Sequence, residues 1–366
     1  MPADSELLYC IAMTRIPQVG AITARQLISY AGSPEAVFKL QKGQLTRIPG
    51  VGNKIGNFIR SKKPLIEAEK EMRLLERNGI RAFFYLQADY PIRLKQIPDA
   101  PILIYHKGNA DLNAHRMVGI VGTRRPSHHG TLLCEQLVED LEPFQVSIVS
   151  GLAYGIDITA HRSALLRSLP TVAVLGCGLD NIYPPGHRKA AVEMLNCGGL
   201  VTEFSIGTKL EREHFPMRNR IIAGLCDALV VVESDIKGGS MITAQLANSY
   251  HRDVFSFPGR IGDPLHRGCH YLIKTNLAAL IESGEELATN MQWNLKGPKT
   301  IQRQMFQELA DEEKQIMTIL QPGEPTNIDK IYRSVSLPVS AVAAILLELE
   351  FKGVIKTLPG KMFLRL

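Results

Sequence analysis

The sequence predicts an α/β protein. A doubly wound parallel sheet forms its centre, with a helical segment before it and a smaller helix-and-hairpin segment after it. Three observations predict this. From roughly residue 117 to 290, short β-branched runs alternate with helical stretches, which is how strands and crossover helices of a parallel sheet read. Residues 1–82 read as short helices joined by turns. Residues 304–366, beyond a polar stretch at 291–303, read as three helices and a β-hairpin. The chain has 366 residues, more than a typical single domain. The expected division is therefore 1–82, 83–290, a linker at 291–303, and 304–366.

Composition narrows the class. The net charge is +6, and the excess is concentrated in the first hundred residues, while the middle is slightly acidic. Nucleic-acid binding by the middle segment thus requires a local basic patch. The six cysteines form no C-x-x-C pair and read as reduced thiols of a cytoplasmic protein. The N-terminus lacks the basic-then-apolar pattern of a signal peptide. No apolar run approaches the ~20 residues that span a bilayer. Histidines and cysteines show no ligand spacing, so no metal is expected, and no cofactor.

Within residues 1–82 two segments echo each other: Ile16-Pro17-Gln18-Val19-Gly20 before one helix and Ile48-Pro49-Gly50-Val51-Gly52 before the next. This resembles a tandem helix-hairpin-helix, a motif whose backbone N–H groups contact a DNA phosphate. Glycine permits close backbone approach and a helix N-terminus attracts anions. Gly50, Gly52 and Lys54 are the candidate contacts of the better-matching second copy. The bland alternative is a hairpin that only packs short helices together. Leu65–Asn78 reads as a charged helix ending at Gly79, a C′ glycine. Ile80–Leu86 and Ile102–Tyr105 read as strands leading into the sheet.

The sheet strands are read at Met117–Val121, Val146–Ser150, Thr171–Leu175, Gly199–Thr202, Ala228–Val232 and Asp253–Phe257, followed by Ala278–Ile281. Ligands of such sheets bind at the carboxyl ends of the strands. The loops there are rich in glycine and charge. After the first strand comes Gly122-Thr123-Arg124-Arg125, with a helix starting around Ser127. A strand, a glycine turn and a helix N-terminus leave N–H groups for an anion, and arginine adds fork-shaped donors. Gly238, Gly239 and Ser240 precede a second helix start at Met241. Phe215-Pro216-Met217-Arg218-Asn219-Arg220 sets two arginines and an asparagine in one first helical turn, where cations repel one another unless an anion docks. The neutral alternative is that these arginines pair with carboxylates such as Glu203 or Glu233. Asp157 and His161, four apart at a helix start, read as residues that cap and orient a loop.

In the last segment Asp311–Leu320, Asn327–Val335 and Pro338–Lys352 read as helices, with Thr326 and Ser336 as caps. Val354–Leu366 reads as two strands about Pro359-Gly360. This is the winged-helix pattern. Its third helix is too apolar at Ala341–Leu347 to read bases, and packing against protein is the favoured role.

Taken together, the blocks resemble the DNA-processing protein A family (DprA, also called Smf), over nearly the whole chain. The matching blocks are GTRRPSHHG (122–130), SGLAYGIDITAHRSAL (150–165), AVLGCGLDNIYP (173–184), FPMRNRIIAGL (215–225), KGGSMITAQLA (237–247) and FSFPG (255–259). The resemblance implies an extended Rossmann-like domain that binds single-stranded DNA, dimerises and loads RecA onto that DNA, protecting it during natural transformation or recombination. It implies that the DNA pocket uses Arg124, Arg212 (where the family often has lysine) and Phe215. Thr123 keeps the hydroxyl of the family's commoner serine. The residues themselves agree: an unpaired strand needs cations for phosphates and a ring for a base. The full set expected at the DNA is Gly122, Thr123, Arg124, Arg212, Phe215, Arg218, Asn219, Arg220, Gly238, Gly239 and Ser240.

Two enzymatic readings compete. Phosphoribohydrolases that resemble lysine decarboxylases carry P-G-G-x-G-T-x-x-E with a catalytic glutamate. Here Gln245 occupies that slot and has no acid–base capacity. A dinucleotide enzyme requires G-x-G-x-x-G and a ribose-binding acid, and neither stands at its place. The expectation is a binding protein without catalysis.

Overall fold

The computed structural model describes residues 2–293, 311–321, 325–335, 337–352, 354–358 and 360–365. They fall into two compact units, one ending at Trp293 and one starting at Asp311.

The first unit is built on one sheet, which among the described residues has nine strands. They are β1 (Arg81–Phe84), β2 (Leu103–Gly108), β3 (Met117–Val121), β4 (Ser147–Ser150), β5 (Thr171–Val174), β6 (Gly198–Thr202), β7 (Ala228–Val231), β8 (Asp253–Ser256) and β9 (Ala279–Leu280), in the order β1-β2-β6-β5-β4-β3-β7-β8-β9. From β6 to β9 every pairing is parallel. The strands read from residue 117 onward pair parallel as expected, and the two lead-in strands form the edge: β1 pairs antiparallel with β2, and β2 antiparallel with β6. The turn around Asp99 sends β2 back along β1, so neither strand has the crossover helix that parallel pairing needs.

β3 through β7 are buried along their whole length. That burial explains why they read as continuous apolar runs rather than alternating ones. The chain winds outward from β3 through β4, β5 and β6, then returns to place β7 on the other side of β3. The reversal opens a crevice beyond the carboxyl ends of β3 and β7, where doubly wound sheets take their ligands.

The N-terminal helices share a core with this sheet. Ile11, Leu27, Leu45 and Ile59 belong to one buried cluster with Tyr105, Ala173, Leu175 and Leu200. No break in packing falls at residues 82–83. Glu71, buried on the helix Lys63–Asn78, accepts from Arg15 Nη2 at 2.8 Å and from the Ile206 amide at 2.9 Å. It thereby ties the helical segment to the loop that follows β6. The two echoing turns adopt one geometry. Val19 N donates to Ile16 O, and Val51 N to Ile48 O. The third residue of each has positive φ, Gln18 at 65° and Gly50 at 80°. Gly20 and Gly52 then cap the helices Ala21–Ala31 and Asn53–Arg60. Lys54 is exposed.

Met291 and Trp293, expected to open the linker, pack against the core of the sheet unit, with the Arg116 guanidinium 5.7 Å from the Trp293 ring. The remainder of the expected linker, residues 294–303, and the start of the last segment, 304–310, lie outside the described residues.

The second unit has helices Asp311–Ile319, Ile328–Ser334 and Val339–Phe351, and strands β10 (Thr326–Asn327), β11 (Ile355–Leu358) and β12 (Met362–Arg365) in the order β10-β12-β11. It is a winged helix. Asn327, not Thr326, caps the middle helix, accepting from the Asp329 amide. Ser336, the other expected cap, lies outside the described residues. The third helix exposes Val339, Ala343 and Leu347 at four-residue intervals beside Glu348. That face has no arginine or lysine for phosphates. Among the described residues, no single helix is long and apolar enough to cross a membrane.

Candidate nucleic-acid interface

The crevice at the strand reversal holds a cavity of about 330 Å³. Gly122, Thr123 and Arg124 after β3, Ser234 and Asp235 after β7, and Phe215, Arg218 and Asn219 from the helix His214–Leu225 all line it. Gly238, Gly239 and Ser240 line it too, at the start of the helix Gly239–Ser249. That helix begins two residues earlier than expected, so its opening N–H groups belong to the glycine turn itself. They have no intrahelical acceptor and carry the positive end of the helix dipole.

The Arg124 loop is fixed from three sides. Thr123 N donates to Glu233 O at 2.7 Å, and Ile156 N donates to Thr123 O at 3.2 Å. The Thr123 hydroxyl accepts from Arg125 N at 3.2 Å. The next helix starts where expected, and Ser127 caps it, accepting from Gly130 N. Ser127 is itself held by Glu233, which accepts from its amide at 2.9 Å and from its hydroxyl. Gly155 has φ of 77°, and a Cβ there would lie 2.3 Å from Thr123 O; only glycine lets the two loops meet. The sequence carried no signal for this use of Glu233, considered above only as a partner for arginines.

Arg124 is exposed, and its guanidinium carbon stands 5.1 Å from the centroid of the Phe215 ring. This is cation–π distance. Cation and ring, named from separate sequence blocks, form one unit at the cavity mouth.

Arg218 lies beneath them with 5% of its surface exposed. It makes no hydrogen bond among the described residues; its Nε and Nη1 are buried without acceptors. Its ion-pair partner is Asp157, whose Oδ2 is 3.9 Å from Nη1, and the Arg124 cation is a further charge acting on it. Burial lowers the Arg218 pKa, and Asp157 opposes that shift. Burial raises the Asp157 pKa, while Arg218 and the amides of Ala153 and Gly151 pull it back. Asp157 accepts from Gly151 N at 3.2 Å and Ala153 N at 3.4 Å, so it orients this loop as anticipated. His161 does not. Its Nδ1 lies 2.7 Å from the Thr171 hydroxyl, and burial holds its pKa down to about 3. It is a neutral core histidine on the helix Ile156–Leu166, packed against the strand that begins at Thr171.

Two expected contacts lie elsewhere. Arg220 is turned into the protein, where it donates to Glu203 and to the Asp99 carbonyl. It lines neither this cavity nor its neighbour. Asn219 stands between the two arginines on the helix. Arg218 and Arg220, two positions apart, therefore point about 200° from each other, one toward the crevice and the other toward β6. The neutral alternative of pairing with Glu203 is the correct one for Arg220. Arg212 is exposed before the helix and borders neither cavity. Ile222 and Ile242, not singled out in the sequence, supply apolar wall; their signal was indistinguishable from that of any core helix.

Comparison with known proteins agrees with the architecture. The family model described as DNA recombination-mediator protein A matches residues 81–292, and that of the DprA winged helix domain matches residues 305–361. Protein Smf from Synechocystis is 32% identical over 414 residues, covering 99% of this chain and 100% of its own. DNA processing protein DprA from Streptococcus pneumoniae is 41% identical over 212 residues, 58% of this chain and 74% of that protein. The X-ray structure of DNA processing protein A from Streptococcus pneumoniae superposes with a TM-score of 0.65 at 34% identity, covering 77% of this chain and 97% of the other. DNA processing protein A from Helicobacter pylori, solved to show its single-stranded DNA binding mode, gives 0.53 at 28% identity, covering 58% and 95%. With the fold, the ordered blocks and the winged helix all in agreement, this chain belongs to the DNA recombination-mediator protein A (DprA/Smf) family.

Proposed function

We propose that the chain binds single-stranded DNA at the loop-bearing rim of its sheet and performs no chemistry on it. One observation carries the reading: a cation-bearing ring, Arg124 on Phe215, stands over a cavity floored by a buried guanidinium without hydrogen-bond acceptors. Phosphate supplies the missing acceptors and an unstacked base finds the ring, which together are the requirements of single-strand binding. Duplex DNA offers no free base face to Phe215. The Helicobacter pylori relative's described single-stranded DNA binding mode supports the same ligand. Gly122, Thr123, Asn219, Gly238, Gly239 and Ser240 shape the cradle, and exposed Arg212 meets the strand outside it. Gly50, Gly52 and Lys54 form a secondary phosphate contact.

The family resemblance extends the proposal to a cytoplasmic homodimer that protects incoming strands and loads RecA onto them in transformation or recombination. A hydrolase reading lacks its general base: Gln245 sits exposed on the helix Gly239–Ser249, and the Asp157 carboxylate is engaged by two amides and Arg218. A competition titration of the full chain with single- and double-stranded oligonucleotides of one sequence tests the reading. Preference for the single strand supports it, and equal or greater affinity for the duplex overturns it. Release of free base from nucleoside monophosphates at an enzymic rate would establish the hydrolase instead.

A further inference from the structure

Between β6 and the helix His214–Leu225 the chain has no helix or strand of its own, yet this loop carries Arg212. Such a loop moves unless its backbone is tied down. Two carboxylates tie it near its start. Glu71 Oε1 accepts from Ile206 N at 2.9 Å, and Asp180 Oδ1 accepts from Gly207 N at 2.9 Å. At the far end His214 Nδ1 lies 3.0 Å from the Gly176 carbonyl oxygen, and the His214 ring packs on that of Phe204 with centroids 4.1 Å apart. Arg212 stands exposed between these anchors.

Asp180 and Gly176 belong to loops of the sheet. Glu71 does not. It comes from the helix Lys63–Asn78, and its other oxygen, Oε2, accepts from Arg15 Nη2 at 2.8 Å. Arg15 immediately precedes the first of the two echoing turns, residues 16–20. One carboxylate, 2% exposed, therefore spans from a hairpin turn to the Arg212 loop. Burial raises its pKa, while the Ile206 amide and the Arg15 guanidinium pull it back. Apolar side chains join two segments at least as well as a buried ion pair does. What a carboxylate adds is direction: its two acceptor oxygens fix the Ile206 amide relative to Arg15.

We propose that Glu71 is a positioning residue for strand binding: from the helical segment it holds the loop after β6 so that Arg212 meets a phosphate. The inference rests on the single-stranded DNA reading above. Glu71 is buried and touches no ligand, so its loss acts through the amide it holds. The sign of the effect separates this role from simple electrostatics. A carboxylate repels a polyanion, and deleting one should tighten binding if charge alone mattered. Positioning demands the reverse: removal of a negative charge weakens the grip on DNA.

The test is a double-mutant cycle of Glu71→Leu and Arg212→Ala on the full chain. Fluorescence anisotropy reads the affinity for one single-stranded oligonucleotide at several salt concentrations, and circular dichroism checks that each variant is folded. Arg212→Ala is expected to weaken binding about tenfold, the low end for a hydrogen bond to a charged group, and to lower the salt slope by about one unit. Glu71→Leu should do the same although it removes a negative charge. The double variant should bind no more weakly than Arg212→Ala alone, whereas independent sites would multiply their losses. Wild-type or tighter binding by folded Glu71→Leu, or multiplied losses in the double variant, overturns the positioning role. Wild-type affinity in Arg212→Ala overturns it equally, since Arg212 would then not be the contact held. If Glu71→Leu does not fold, Glu71→Gln takes its place in the same cycle with the same deciding outcomes. Wild type that does not bind the oligonucleotide refutes the single-strand reading itself, a separate outcome.

Discussion

Gly151 exists for Arg218. A Cβ built on Gly151 would lie 1.2 Å from Arg218 Nη1 and 2.3 Å from its Cζ. The glycine that follows β4 thus leaves the space a guanidinium fills, and the two residues, far apart in sequence, form one feature of the cavity floor.

Gly151→Ala therefore acts as a displacement of Arg218. Overpacking of a close-packed site costs about 1–3 kcal/mol, read as a lower denaturation midpoint. Single-strand affinity should fall about 10- to 100-fold in the protein that folds, matching the loss of a hydrogen bond to a charged group. Fluorescence anisotropy at saturating folded fraction measures it. Unchanged affinity would mean that Arg218 serves the fold alone.

Arg220 gives the opposite expectation. With Glu203 it forms a buried pair, and burial raises the Glu203 pKa while Arg220 lowers it. Removing one partner of such a pair costs about 3–5 kcal/mol. Arg220→Ala should lose that much stability in chemical denaturation, yet bind single strands with wild-type affinity where folded. A stable variant with weakened binding would return Arg220 to the interface.

His161 ties stability to pH. Its folded pKa, about 3, lies below the ordinary 6.5. The unfolded chain therefore binds the proton more tightly. The stabilisation is complete above pH 6.5 and is lost as pH falls toward 3. Relative to His161→Asn, the wild-type advantage should shrink by about 1.4 kcal/mol per pH unit between roughly pH 6 and 4. Denaturant melts of both proteins across that range check it; a pH-independent difference would show that the histidine is protonated where it sits.

Much of this was legible in sequence because it is local. Strand periodicity, the helix start near Ser127 and the glycine turns at 122 and 238 depend on neighbours a few residues apart. The Arg124 loop and Phe215 were found as separate blocks. What escaped is non-local. The Arg220–Glu203 pair joins β6 to a helix, and Glu203 was only one of several carboxylates within reach. The fit of Gly151 around Arg218 has no pattern of its own. The antiparallel β1 and β2 were read as strands, but their direction depends on where the chain returns, which strand composition does not encode. The helical segment looked separable because it reads as helices, yet its apolar residues complete a core that the sheet begins.

The central claim is tested most directly by the salt dependence of single-strand binding in Arg124→Ala and Phe215→Ala, measured as log Kd against log salt. The account predicts that Arg124→Ala weakens binding and lowers the slope by about one unit, as loss of one phosphate contact does. It predicts that Phe215→Ala weakens binding by about 1–3 kcal/mol with the slope preserved, as loss of one stacked base does. Wild-type affinity and slope in both variants would contradict it.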